Sequence, residues 1–207
     1  MNNMLSKALR EFLSGPINQL IVNLGGDDGE IWEKEFKKFL RKEKCWTEHH
    51  THPYLRCISE GAKIIIPACE GDKIILDATD LFTGYIDPDF ENWGTNKRGQ
   101  KTKEMPVSVK EMYKDSTFSQ MFSGFYVDLD RLCLTQHQIC IFIKEHKNWL
   151  REGGYATFFL FKSDDNFFVA GVVFGSGGVL SVSVRRFEES HVWHADVPHR
   201  VVVPQLA

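Results

Sequence analysis

The chain has 207 residues, 43% of them hydrophobic and 26% charged, with a formal net charge of −3 and a pI near 6.2. That is the composition of a globular chain long enough to bury a real core, and it argues against a protein held to nucleic acid by bulk positive charge. No stretch approaches the roughly 20 apolar residues of a membrane span, and there is no internal repeat or low-complexity tract. The 16 Phe, 5 Trp and 5 Tyr carry ring area that must be buried or meet a ligand.

The first 44 residues read as an N-terminal helical segment. Leu5, Ala8, Leu9, Phe12 and Leu13 share one helical stripe, stopped by "SGP". Lys7, Arg10 and Glu11 interrupt this start, which lacks the apolar run of a secretion signal. Ile17, Leu20, Ile21 and Leu24 make a second stripe, stopped by Gly25 and Gly26. Asp27 or Asp28 is placed to cap a third helix, with Trp32, Phe36, Phe39 and Leu40 inward and Lys34, Lys37, Lys38 and Arg41 on a solvated face.

Residues 45–207 read as an α+β domain forming one integral unit with those helices. "YLRCIS", "KIIIPA" and "KIILDA" have strand character, with "CEGD" as a hairpin turn between the last two. "TDLFTGYIDPDFENWG" is turn-rich with interleaved aromatics, and residues 94–105 form a polar loop. "VSVKEMYK" reads as a short helix. "TQHQICIFIKEHKNWLREGG" carries a capping box, Thr135 with Gln138, then an apolar repeat ending at Gly153 and Gly154. This predicts a long amphipathic helix with Cys140 and His146 near the core.

A strand meander follows: "YATFFLFK", "FFVAGVVF", "VLSVSVRRF" and "HVWHADVPHRVVVP". The first two are apolar on both parities, with Thr157, Phe159 and Phe161 on one side and Phe158 and Leu160 on the other. Such strands must be covered on both faces. In the third, Leu180, Val182 and Val184 alternate with Ser181, Ser183 and Arg185, which suits a place nearer the sheet edge. The expected architecture is a mainly antiparallel sheet packed by the long helix.

Several constellations carry candidate chemistry. "CWTEHHTHPYLRC" places His49, His50 and His52 between Cys45 and Cys57. In an extended chain His50 and His52 share a face and could chelate a divalent transition metal. The bland alternative is a polar connector between helical and strand regions. The His-x-His pair is similar to that of cupin metal sites, but the glutamate and glycine of that pattern do not follow at cupin spacing. The five cysteines (Cys45, Cys57, Cys69, Cys133, Cys140) are odd in number and lack a CxxC pair. They fit reduced, mostly buried thiols in a cytosol rather than a disulfide framework or a zinc ribbon.

In the cluster "HVWHADVPHR", with His191, His199 and Arg200, a strand would put His194 and Asp196 on one face, as a candidate general-base pair or equally a surface hydrogen bond on an edge strand, with Trp193 packed inside. Asp77, Asp80, Asp87, Asp89 and Glu91 form an oxygen-rich group that lacks EF-hand spacing and suits turn chemistry. "GSGG" at 175–178 leads into a strand, so it reads as a hairpin turn rather than a phosphate loop. Lys97, Arg98, Lys101 and Lys103 could contact phosphates, with Tyr85, Phe90 and Trp93 stacking bases, although a short basic loop in an acidic protein is usually plain solvated surface.

"ATDLFTGYIDPDFENWG", "LCLTQHQICIF", "GYATFFLFK" and "HRVVVPQL" resemble a group of uncharacterised proteins from genomes of candidate-phyla bacteria of the Patescibacteria type. The resemblance spans roughly residues 62–206. It implies a bacterial cytosolic origin and one integral unit, and it carries no activity, ligand or catalytic residue.

Because no nucleophile, cofactor or metal motif closes, the leading expectation is a non-catalytic binding or interaction module, with no cofactor and no membrane contact. Its partner would be a protein or a small molecule. Its surface would be the aromatic turn region 82–93, contributing Tyr85, Asp87, Asp89 and Trp93, together with the last strand, near His194, Asp196 and His199. The second expectation is a metal-dependent hydrolytic enzyme using His50 and His52 as ligands and an aspartate base. The third is single-stranded nucleic-acid binding through residues 85–103.

Overall fold

The computed structural model describes residues 16–26, 29–42 and 52–205. The predicted stripe over residues 5–13, the Asp27/Asp28 cap, and Cys45, His49 and His50 lie outside the described residues. The chain divides into two compact units, residues 1–50 and 51–207. No helix among the described residues is long and apolar enough to cross a membrane.

The first unit contains α1 (Pro16–Leu24) and α2 (Gly29–Leu40), as the apolar spacing requires. Trp32 and Phe36 are half-buried, but Phe39 and Leu40, expected inward, are largely exposed. The outer Lys37 pairs with Glu33 one turn earlier.

The second unit is α+β, built on an eight-stranded sheet: β1 (Leu55–Cys57), β2 (Ile64–Ile66), β3 (Tyr85–Ile86), β4 (Met105–Met112), β5 (Ala156–Ser163), β6 (Asn166–Phe174), β7 (Leu180–Arg186) and β8 (Arg200–Pro204). The order is β1-β4-β8-β5-β6-β7-β3, with β2 also on β4. The sheet is mixed rather than mainly antiparallel, because β8 runs parallel to β5 and β3 parallel to β7. Only hairpins force antiparallel neighbours. The connections into β3 and β8 are not hairpins.

The strands that are apolar on both parities are covered on both faces. Phe158, Phe159, Leu160 and Phe161 are each no more than 1% exposed. Phe159 and Phe161 join one core with Phe168, Val172, Val182 and Val202. Phe158 and Leu160 join the opposite core with Val169, Val201 and Val203. The first core is closed by α5 (Gln136–Glu145) and by a four-residue helix, α3 (Asp89–Asn92). The second is closed by α4 (Phe118–Ser123), whose Phe118, Met121 and Phe122 are fully buried. Removing each large ring from water contributes about 2–3 kcal/mol.

Four local expectations give way to tertiary pairing. "VSVKEMYK" is strand β4, in which Val107 and Val109 face one core at period two and Met112 the other. "KIILDA" is not a strand. Ile75–Asp77 form a 3-10 turn, and the Ile75 N–H donates to the Gln136 side chain at 2.9 Å instead of to a ladder. The "CEGD" hairpin does not form either, because this segment pairs with residues 99–102. Cys69 and Thr102 exchange backbone bonds of 3.1 and 2.8 Å, and Gly99 N–H donates to Gly71 O at 2.9 Å. Gly71 has φ +76°, and a Cβ there would lie 2.3 Å from Gln100 O.

The long helix is also shorter than its apolar repeat. Its capping box is present, with Thr135 Oγ1 accepting from Gln138 N–H and Gln138 Oε1 from Thr135 N–H. The α-helix nevertheless ends at Glu145. His146 leaves the helical region and bonds Ile65 O at 2.9 Å, and a 3-10 turn (Lys147–Trp149) follows. Arg200 Nη1 then donates to the carbonyls of Trp149 and Leu150, at 3.0 Å each.

Candidate functional site

His52 does not present a chelating nitrogen. It is 5% exposed, and its Nδ1 accepts the amides of Tyr54 and Leu55 at 3.2 and 3.0 Å. An accepting Nδ1 places the proton on Nε2, which donates to Met121 O at 2.7 Å. Both nitrogens are spent on backbone, so the side chain ties β1 to α4. Burial pushes its pKa down to about 4. Among the described residues no group of three His, Cys, Asp or Glu side chains converges as metal ligands would.

Residues 191–199 are not a strand, so the alternation expected for His194 and Asp196 fails. Ala195 and Asp196 form the corner of a turn closed by Val197 N–H to His194 O at 3.2 Å. His194 instead pairs through Nδ1 with Asp115 Oδ2 at 3.0 Å, while Asp115 Oδ1 accepts the Ala195 amide at 2.7 Å. Those bonds hold the Asp115 carboxyl below its usual range, the Ala195 amide first. The pair is exposed to water. His199 lies apart, buried against Trp193 and Phe158 with ring centroids 4.8 and 5.0 Å away, and its Nδ1 accepts the Ala156 amide. Burial lowers its pKa as well.

The aromatic turn and the last strand do not form one surface, because β8 lies inside the sheet and β3 at its edge. Phe82 and Phe90 are core residues. Asp87 does turn work: Oδ1 accepts Asp89 N–H and Oδ2 accepts Val184 N–H. Asp89 accepts from the Asn92 amide. Trp93 lies between the Phe168 ring and the Arg186 guanidinium, and only Tyr85 of the three proposed base-stackers is exposed. In the polar loop Lys97 pairs with Asp164, and Lys101 with Glu70 at 2.7 Å. Arg98 is exposed, as is Lys103. Two of the four cations are therefore already neutralised by carboxylates.

The geometry brings together a different set. The 3-10 turn Ile75–Asp77 and the segment after it face the outer side of α5 across a cleft of about 490 Å³. Its apolar floor is Ile74, Leu81, Cys140 and Ile141; Asp72, Lys73, Asp77, Asp80 and Lys144 form a charged rim. Gln136 fixes the two walls, because its Oε1 accepts Ile75 N–H and its Nε2 donates to Thr95 O at 2.5 Å. Cys140 is 6% exposed, and burial pushes its thiol up to about 12. It is therefore a neutral floor group at physiological pH, without the thiolate a nucleophile needs.

Asp77 and Asp80 belong to the acidic group read from the sequence. Lys73, Cys140 and Lys144 were not foreseen as site residues. No spacing signal connects them, because Lys73 and Lys144 meet only through the packing of α5 on the 3-10 turn. A second, shallower cleft of about 520 Å³ lies beside α4, lined in part by Ser119, Ser123, Tyr126 and Arg131. No family model, no curated protein and no solved structure matches this chain.

Proposed function

We propose that the chain is a non-catalytic binding module of the bacterial cytosol, and that it takes a small-molecule ligand in the cleft between α5 and the Ile75–Asp77 turn. The observation that carries this reading is the lining itself. An apolar floor with a few charged groups at its rim is the usual build of a small-molecule site, and 490 Å³ falls in the usual range. The protonated thiol at its base favours binding over covalent chemistry.

The test is a thermal-shift screen of a metabolite library on the full chain and on Ile141→Trp. The substitution puts an indole into the cleft from a half-exposed position. Hits should raise the melting temperature of the parent and not of the variant. Hits that stabilise both proteins equally would move the ligand elsewhere. Turnover in a broad hydrolase screen that one substitution abolishes would end the non-catalytic reading.

A further inference from the structure

The rim of the α5 cleft carries both signs of charge, and most of it is unspent. Lys73, Asp77, Asp80 and Lys144 line the cleft, yet none forms an ion pair or side-chain hydrogen bond with a described residue. Elsewhere on this unit, lysines near carboxylates pair with them: Lys97 with Asp164, Lys101 with Glu70, and Lys162 with Asp130.

A further polar atom lies beside Asp72, one of the lining residues, though it does not itself line the cleft. His137 lies one helical turn before Cys140 and Ile141 on α5 and is 8% exposed. Its Nδ1 is buried and lies 3.2 Å from Asp72 Oδ1, within ion-pair reach when the ring is protonated, but it makes no hydrogen bond with a described residue. A buried polar atom without a partner costs about 1–3 kcal/mol.

Charge arithmetic then narrows the ligand. A purely anionic ligand would meet the carboxylates of Asp72, Asp77 and Asp80, and a purely cationic one the ammonium groups of Lys73 and Lys144. Like-charge contacts of this kind reject wrong ligands. Only a molecule carrying both signs answers every rim group. Three carboxylates against two ammoniums leave one negative charge over, which favours a ligand of net charge zero or plus one. The floor of Ile74, Leu81 and Ile141 asks for an apolar arm.

We infer that the cleft binds a small zwitterion of the amino-acid type, with an aliphatic or basic side arm. Its carboxylate faces Lys73 and Lys144, its ammonium faces Asp77 and Asp80, and its arm lies on the Ile74–Leu81–Ile141 floor. This rests on the small-molecule reading of the same cleft.

The experiment is isothermal titration calorimetry of the full chain with lysine, leucine, glutamate, cadaverine and hexanoate. Lysine and leucine should bind, and the other three at least about tenfold more weakly, the worth of one charge-assisted hydrogen bond or more. Lys144→Gln should weaken leucine about tenfold and shift the melting temperature by no more than about 2 °C, because Lys144 is exposed and pairs with no described residue. Glutamate binding tightest, cadaverine or hexanoate matching leucine, or no response to any of the five would overturn the zwitterion inference. The metabolite screen with Ile141→Trp decides separately whether the cleft is a ligand site. Library hits that are lost in that variant but are not zwitterions would leave the site standing and remove only the ligand class.

Discussion

His52 offers the sharpest physical test, because its pKa, its burial and its bonds all bear on one number. An ordinary imidazole titrates near 6.5 and His52 at about 4. Its folded-state pKa is depressed, so between those values the unfolded chain binds a proton that the folded chain refuses. Stability from this group is complete above about pH 6.5 and falls as pH drops towards 4. At about 1.4 kcal/mol per pH unit, the loss across that window is about 3 kcal/mol. The structural cause is specific: charging the ring adds a proton at Nδ1, where the Tyr54 and Leu55 amides already point their own. The space does not let the ring turn away, since Phe125 packs at 4.5 Å and even a Cβ on Gly124 would approach within 2.7 Å.

Urea unfolding of the full chain at a series of pH values, for the parent and His52→Gln, measures the effect. Glutamine keeps one acceptor and one donor but does not titrate. It should flatten the acid limb by about 3 kcal/mol and leave a residual slope. His199, also depressed by burial, contributes to that slope with the same sign, and Asp115, held low by its bonds, contributes as it protonates. A His52 ring resonance titrating near its ordinary value, or equal acid slopes in the two proteins, would refute the reasoning.

Three further outcomes follow from the packing. Phe159→Ala removes a fully buried ring that meets Phe142 edge-on at 5.4 Å; urea unfolding should show a loss of about 3–5 kcal/mol. Gln136→Leu strands the Ile75 amide, while the Thr95 carbonyl keeps the Lys97 amide at 2.8 Å. It should cost about 1–3 kcal/mol and speed hydrogen exchange at the Ile75 amide, with the cleft wall loosened. Lys97→Ala with Arg98→Ala should change stability by less than about 1 kcal/mol, since the Lys97–Asp164 pair is exposed; a steep, salt-dependent loss of oligonucleotide binding in that variant would instead revive the nucleic-acid reading.

The parts of the fold legible in the sequence are those where one local signal suffices. Residues 158–161 are apolar on both parities, and their two covered faces follow directly from that. The Thr135–Gln138 capping box starts α5 where expected. The same signal stands at Thr117 and Gln120, and it marks α4, an element absent from the expected architecture. Period two in Val107 and Val109 is likewise the local signal of β4, where the sequence reading expects a short helix. Other features were beyond local reasoning. The capture of Ile75 by Gln136 joins residues 61 positions apart, and it turns a strand-like run into a 3-10 turn. The end of α5 at His146 depends on a carbonyl 81 residues earlier. The candidate cleft was half visible, through Asp77 and Asp80. Its lysines were hidden, because exposed lysines look alike until the fold brings two of them to one rim.

The placement of β8 bears on how the molecule is made. Residues 200–204 slot between β4 and β5, bonding the first antiparallel and the second parallel. During synthesis both neighbours emerge from the ribosome well before the strand that joins them. Each then holds an open backbone edge, the kind that recruits foreign strands. A truncation that removes Arg200–Pro204 would divide the sheet into two halves with unsatisfied edges. Such chains should collect in aggregates or be cleared by proteases, even though the α5 cleft lies wholly outside the deleted segment.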